Sequence, residues 1–378
     1  MQVLKDLTEI QTRKIVFRVD ATRQIGSGHL MRCLTLANEG LTRGWKSFFV
    51  MRDADLEIQQ KISSFGHEFR LLKAANDERL NNDTALMHSQ WLSVSQRTDA
   101  AETLEIVLKI CPDWIIVDHY AIDAAWHTIV KEKCDCIMVI DDLADRKLDC
   151  DFLLNQNLGF SVHDYSNKIM GDCKFLLGAE FALLRPEFRE WRQRSLKRRN
   201  SKKLNRVLIS MGGVDANNHS LTILKELVAS VHAKRCEFTI VLGSLYPFHA
   251  EIDEFIDATE LSISKITDAN NMAEIMSFSD ICIGAAGSST LERCCLGLPN
   301  LMVSIAKNQD RIACDLQERG VAILTAAGTI ARDFDKCFEA SAAEFLVEMS
   351  ARSSAFCDGE GAKRVIEKME AFDGRHIA

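Results

Sequence analysis

Two glycines, a histidine and an arginine fall close together in the stretch Gly26-Ser27-Gly28-His29-Leu30-Met31-Arg32. The apolar run Ile15-Val16-Phe17 leads into it and an amphipathic run from about Leu30 to Gly40 follows, which predicts a strand handing over to a helix. Gly26 and Gly28 allow a tight turn and close approach of a bound group, and the first N–H groups of the helix favour an anion there. His29, in the first helical turn, feels the positive end of the helix dipole, which disfavours imidazolium and leaves a ring able to accept a proton. His29 and Arg32 are three residues apart and share a helix face. Locally, His29 reads equally as a general base or as a capping or packing histidine. Met31 stands where a dinucleotide fingerprint needs its third glycine, so no such site is expected.

Further polar groups stand where apolar strands end. Trp114-Ile115-Ile116-Val117 runs into Asp118-His119-Tyr120, and the carboxyl end of a buried parallel strand lines the crevice in which open α/β sheets bind ligands. Asp118 also reads as a helix cap. Ile137-Met138-Val139-Ile140 ends at Asp141, Asp142 and Asp145. Such a cluster suits Mg²⁺, but Arg146 and Lys147 can neutralise it and Asp is common at such turns, so no metal is expected. In the second half, Val207-Leu208-Ile209 turns at Gly212 and Gly213. Asp280-Ile281-Cys282-Ile283 leads to Gly284-Ala285-Ala286-Gly287, whose sequel Ser288, Ser289 and Thr290 opens a helix able to present donors to phosphate. Glu292, one turn on, can accept both hydroxyls of a ribose, or can simply be a first-turn acid that stabilises the helix dipole. Asn308 and Gln309 follow the last of these strands.

The elements that must hold these groups alternate β and α through both halves. The chain has 378 residues, enough for two domains, with ordinary composition at 47% hydrophobic and 26% charged. The expected organisation is an N-terminal extension (1–13), a Rossmann-like domain (14–190), a basic solvated linker (191–205) around Lys197-Arg198-Arg199 and Lys202-Lys203, a second Rossmann-like domain (206–340) and a helical tail (341–378). A net charge of -8 argues against general affinity for nucleic acid or anionic membrane. No apolar run approaches the roughly 18 residues of a spanning helix, and the N-terminus lacks a signal-peptide core, which predicts a cytoplasmic protein. Thirteen scattered cysteines read as reduced thiols. Oligomeric state is left open, with a monomer compatible.

The motifs Arg18-Val19-Asp20-Ala21, Gln24 to Arg32, Asp118-His119-Tyr120, Ile140 to Arg146, Leu153-Leu154-Asn155-Gln156-Asn157 and Met211-Gly212-Gly213-x-Asp215 run in order from about residue 14 to 325. Through them the sequence resembles the UDP-sugar hydrolases of pseudaminic acid biosynthesis, a pathway of flagellin and surface glycans. Its second half, through Asn271-Met272-Ala273 and Ala286 to Pro299, is similar to MurG-like glycosyltransferases. The resemblance implies a GT-B-like α/β fold, two Rossmann-like domains with parallel sheets facing a central cleft. It implies hydrolysis of a UDP-linked 2,4-diacetamido-2,4,6-trideoxy hexose of altrose type, without metal or cofactor, yielding UDP and a free sugar for condensation with phosphoenolpyruvate. His29 then falls at the family's general base, Tyr120 beside the reacting sugar and Glu292 at the ribose-binding acid. Arg18, Asp20, Gly26, Gly28, Arg32, Asp118, His119, Gly212, Gly213, Ser288, Ser289, Asn308 and Gln309 are the expected substrate contacts. The rival expectations are a glycosyltransferase on the same fold, with an acceptor hydroxyl in place of water, and a non-catalytic nucleotide-sugar-binding module.

Overall fold

The computed structural model describes residues 12–22, 25–74, 86–134, 136–200 and 203–372, except the side chains of Lys307 and Asn308. Nearly all of the expected N-terminal extension lies outside these residues. Contacts divide the chain into two units, the first comprising residues 1–154, 163–176 and 365–378 and the second 155–162 and 177–364.

The first unit is built on strands β1 (Lys14–Val19), β2 (Lys46–Met51), β3 (Glu68–Leu71), β4 (Trp114–Asp118), β5 (Cys136–Ile140), β6 (Phe152–Asn155) and β7 (Lys174–Leu177), ordered β3-β2-β1-β4-β5-β6-β7. The pairings from β3 through β6 are parallel. Ile15, Val16, Phe17, Ile115 and Ile116 are fully buried, as continuous apolar strands covered on both faces must be. The second unit repeats the plan with β8 (Arg206–Ser210), β9 (Glu237–Leu242), β10 (Ser262–Thr267), β11 (Ile281–Ala285), β12 (Asn300–Val303) and β13 (Ile323–Thr325), ordered β10-β9-β8-β11-β12-β13 and parallel throughout. Alternate residues of β8 face opposite cores, Val207 and Ile209 into one and Leu208 into the other.

Two expectations about organisation need correction. The basic stretch is no solvated linker: helix Pro186–Arg199 packs on helices Met272–Phe278 and Ser289–Cys295 within the second unit. Ser195 and Arg199 are buried there, and the Arg192 guanidinium donates to the carbonyl oxygens of Cys295, Cys357 and Ser354. Basic side chains can thus be drawn into an interface by unpaired carbonyls at helix ends. Nor is the C-terminal segment a tail. Helix Ala342–Phe356 packs on Ser289–Cys295 in the second unit, whereas residues 365–372 belong with the first. There Val365, Ile366 and Met369 are buried and Phe372 meets Trp114 and Phe152 edge-on or tilted.

Candidate active site

In the order β2-β1-β4 the connections leave β1 and β4 in opposite directions, which opens a crevice outside their carboxyl ends. The loop after β1 carries Asp20, turns through Gly26 at φ 79° and enters helix Gly28–Thr42, which delivers His29 and Arg32. β4 ends on Asp118, with His119 and Tyr120 next. His29 Nδ1 lies 2.6 Å from Asp118 Oδ1. Arg32 donates through Nε to Asp118 Oδ2 and through Nη2 to Oδ1, each at 2.7 Å, and through Nη1 to Asp142 Oδ2 at 2.6 Å. The Tyr120 hydroxyl donates to that same Asp142 oxygen, and its ring meets His29 edge-on with centroids 4.6 Å apart.

Burial opposes ionisation of Asp118, but Arg32 and then His29 outweigh it and hold the carboxyl well below the usual carboxylate range. An ionised Asp118 accepts the Nδ1 proton of His29, which assigns the tautomer with a lone pair on Nε2. Among the described residues no hydrogen bond engages that Nε2. Burial and then Asp142 push the Tyr120 phenol up, so it stays a neutral donor. The arrangement can take a proton at Nε2 and stabilise the resulting imidazolium through Asp118.

Other expected contacts are placed differently. Arg18 is fully buried and donates to Asp99 through Nε at 3.0 Å and Nη2 at 2.8 Å, with Asp20 Oδ2 at 2.9 Å from Nη2. Asp20 accepts from the Arg52 backbone N–H at 2.8 Å and lies 3.2 Å from His119 Nε2. Arg18, Asp20 and Asp99 therefore form a buried ionic cluster, against which His119 packs with burial holding its imidazole below the ordinary value. Asp141 is likewise engaged, by Arg146 at 2.7 Å, Tyr165 at 2.9 Å and the Ala144 N–H at 2.8 Å. Among the described residues no group of three acidic, His or Cys side chains is arranged to hold a metal ion. Gly26 lies in the turn and Gly28 opens the helix that carries His29, both with open space where a side chain would start.

Sequence reasoning passed over Trp91 and His88. Trp91, ending the short 3-10 helix Ser89–Trp91, stacks on Tyr120 with centroids 5.4 Å apart and an interplanar angle of 23°, and meets His29 edge-on at 6.0 Å. His88 packs on Trp91 at 4.5 Å. A tryptophan inside an otherwise polar, irregular segment was the available signal.

The second unit has its own reversal, between β8 and β11. Gly212 (φ 99°) and Gly213 leave β8 exposed, and a side chain at Gly243, after β9, would begin 2.0 Å from the Gly213 carbonyl oxygen. Beyond β11, Ser288 is exposed and Ser289 Oγ accepts from Arg293 Nη1 at 3.0 Å. Arg293, fully buried, also ties the Ala285 carbonyl (2.6 Å) to Thr290 Oγ1 (2.8 Å). Glu292 keeps 22% side-chain exposure, 3.8 Å from the Arg185 guanidinium, and burial pushes its carboxyl up. Gln309 Nε2 is 3.7 Å from where a side chain at Gly287 would begin, so Gln309 joins this group, while the Asn308 side chain lies outside the described residues. Gly212, Gly213, Ser288, Ser289, Glu292 and Gln309 all follow strand ends on one edge of the sheet.

These features define a class by fold. The chain has the GT-B-like fold of two parallel-sheet, Rossmann-like units, and it superposes on MurG of Acinetobacter baumannii with a TM-score of 0.64 and 14% identity, over 95% of this chain and 100% of that one. In sequence, it is 25% identical over 309 residues to the UDP-2,4-diacetamido-2,4,6-trideoxy-beta-L-altropyranose hydrolase of Campylobacter jejuni, covering 81% of this chain and 97% of the relative. It is 24% identical over 310 residues to an uncharacterized protein of Methanocaldococcus jannaschii, covering 80% of this chain but only 57% of that protein. No family model matches the chain. Among the described residues no helix is long and apolar enough to cross a membrane.

Proposed function

We propose that the protein hydrolyses a UDP-linked 2,4-diacetamido-2,4,6-trideoxy hexose of altrose type, giving the free sugar and UDP for nonulosonate biosynthesis. The observation that carries this is the His29–Asp118 pair at the switch point of the first unit, with Nε2 of His29 left to act on water. The similarity to the Campylobacter hydrolase, nearly end to end for that relative, supports the substrate class. In this reading water attacks the anomeric carbon from the face opposite UDP, His29 takes its proton, and the C1–O bond breaks with inversion. Gly212, Gly213, Ser288 and Ser289 stabilise the charge developing on the diphosphate, Glu292 holds the ribose, and Tyr120 orients the sugar beside His29.

The test is incubation with the UDP-linked sugar in ¹⁸O-water, without acceptor, following UDP, free sugar and the position of the label. Equimolar release with ¹⁸O in the sugar is expected. Label in the UDP phosphate would refute C–O cleavage. The likeness of the fold to MurG favours one second reading, a UDP-sugar glycosyltransferase. Substrate that stays intact until an acceptor alcohol is added would select it.

A further inference from the structure

A cavity of about 340 Å³ lies wholly within the second unit, at the edge of its sheet opposite Gly212 and Ser288. Its walls include Asn205, Asp280 and Pro299, the residues immediately before β8, β11 and β12, and Arg235, two residues before β9. In a parallel sheet that is the amino edge, so this cavity and the carboxyl-edge crevice are separate places. Its volume falls at the small end of the roughly 300–1,000 Å³ typical of ligand pockets.

The lining charge is unbalanced. Arg198, Arg199 and Arg235 supply three cations against two carboxylates, Asp280 and Glu339, beside Lys203, which has a partner of its own. Asp280 already receives Arg198 Nη2 at 2.7 Å and the backbone N–H groups of Asn205 and Arg206, each at 2.9 Å. Arg199, 7% exposed, gives its N–H groups to neutral oxygens, the carbonyls of Met276, Ser279 and Leu296 and the hydroxyl of Ser195. Arg198 Nε is buried and has no hydrogen-bond partner among the described residues. Arg235 is exposed, and among the described residues its guanidinium forms no ion pair. A concave surface with excess positive charge concentrates anions. The remaining surface is apolar, from Leu204, Phe338 and Leu346.

We propose that this cavity is a second ligand site, which takes a small organic phosphate monoester. The dianionic head sits between Arg198 and Arg235, and the apolar part lies on Leu204, Phe338 and Leu346. The basic run that the sequence shows between residues 197 and 203 thereby acquires a use within the fold. The site does not depend on the reaction assigned to the other edge.

Calorimetric titration of the full chain with phenyl phosphate, inorganic phosphate and phenol tests the proposal, on the parent protein and on Arg235→Glu and Arg235→Lys. Phenyl phosphate should bind at least about tenfold tighter than either fragment, and Arg235→Glu should weaken it roughly tenfold or more with the melting temperature unchanged. Arg235→Lys, which keeps the charge, should stay within about threefold of the parent. Phenyl phosphate binding no tighter than inorganic phosphate, or binding indifferent to Arg235→Glu, would overturn the assignment.

Discussion

The carboxylate of Asp118 that holds Nδ1 of His29 at 2.6 Å also receives two N–H groups of Arg32. One buried carboxylate thus orients the imidazole while a guanidinium keeps it ionised. Under the proposed mechanism, His29→Ala should lower the rate of UDP release by about 10²–10⁴-fold, the usual worth of a positioned base. Asp118→Asn removes the charge, and with Arg32 holding the amide oxygen it turns an NH2 towards His29 Nδ1 and so favours the wrong tautomer, which should cost about 10² or more in kcat while substrate binding changes little. Steady-state assays with UDP release as readout decide it, and an Asp118→Asn enzyme of parental kcat would sink the orienting role.

His127, fully buried in helix Ala124–Lys131, sets a different pH dependence. Burial, and then Arg146 and Lys131, lower its imidazole from the ordinary 6.5 to about 3. The unfolded chain protonates near 6.5 while the folded one stays neutral, so the stability from this group is complete above 6.5 and is lost as pH falls towards 3. Asp118 adds its own loss only below about 3.9. Between pH 6 and 4.5, His127→Gln should flatten the fall of unfolding free energy by up to about 1.4 kcal/mol per pH unit, one proton's worth. Urea unfolding across that range measures the slope, and equal slopes in parent and variant would exclude His127 as the source.

What the sequence discloses and what it hides divide along physical lines. The turn at Gly26 and Gly28, the helix carrying His29 and the strand ending at Asp118 are legible because each is set by local pattern, and topology then joins them across the switch point. The pairing of Arg18 with Asp99 is not legible because the strand residue and its helix partner are far apart in sequence, and burial of an ion pair leaves no local trace. The polar stretch after residue 73 hides Trp91, whose position comes from stacking on Tyr120 and not from any period. The basic run near residue 197 reads as solvated since charge counts do not show that Arg199 finds three carbonyls to cap.

Trp91 closes one side of the His29–Tyr120 pair, and its removal should loosen both rings without touching the Asp118 bonds. Aromatic pairs of this geometry contribute about 0.5–1.5 kcal/mol, so Trp91→Ala should lower kcat roughly three- to tenfold, with Trp91→Phe recovering most of it. The split between variants carries the argument. A Phe variant as impaired as the Ala variant would mean that Trp91 contributes something other than a stacked face.

Gly243 and Gly213 meet backbone to backbone at the carboxyl edge of the second sheet. A methyl group at 243 would begin 2.0 Å from the Gly213 carbonyl oxygen, and no side-chain rotation relieves a clash with main chain. Either the sheet end opens, at a cost of about 1–3 kcal/mol, or the Gly212-Gly213 loop moves away from the position in which the proposed function has it bind the diphosphate. Gly243→Ala should therefore lower both the melting temperature and the affinity for UDP. Gly28→Ala, in the first unit and with open space around its Cβ position, should leave UDP affinity within about twofold of the parent. Isothermal titration with UDP distinguishes the two, and a Gly243→Ala protein that binds UDP like the parent would remove the Gly212-Gly213 turn from the proposed nucleotide site.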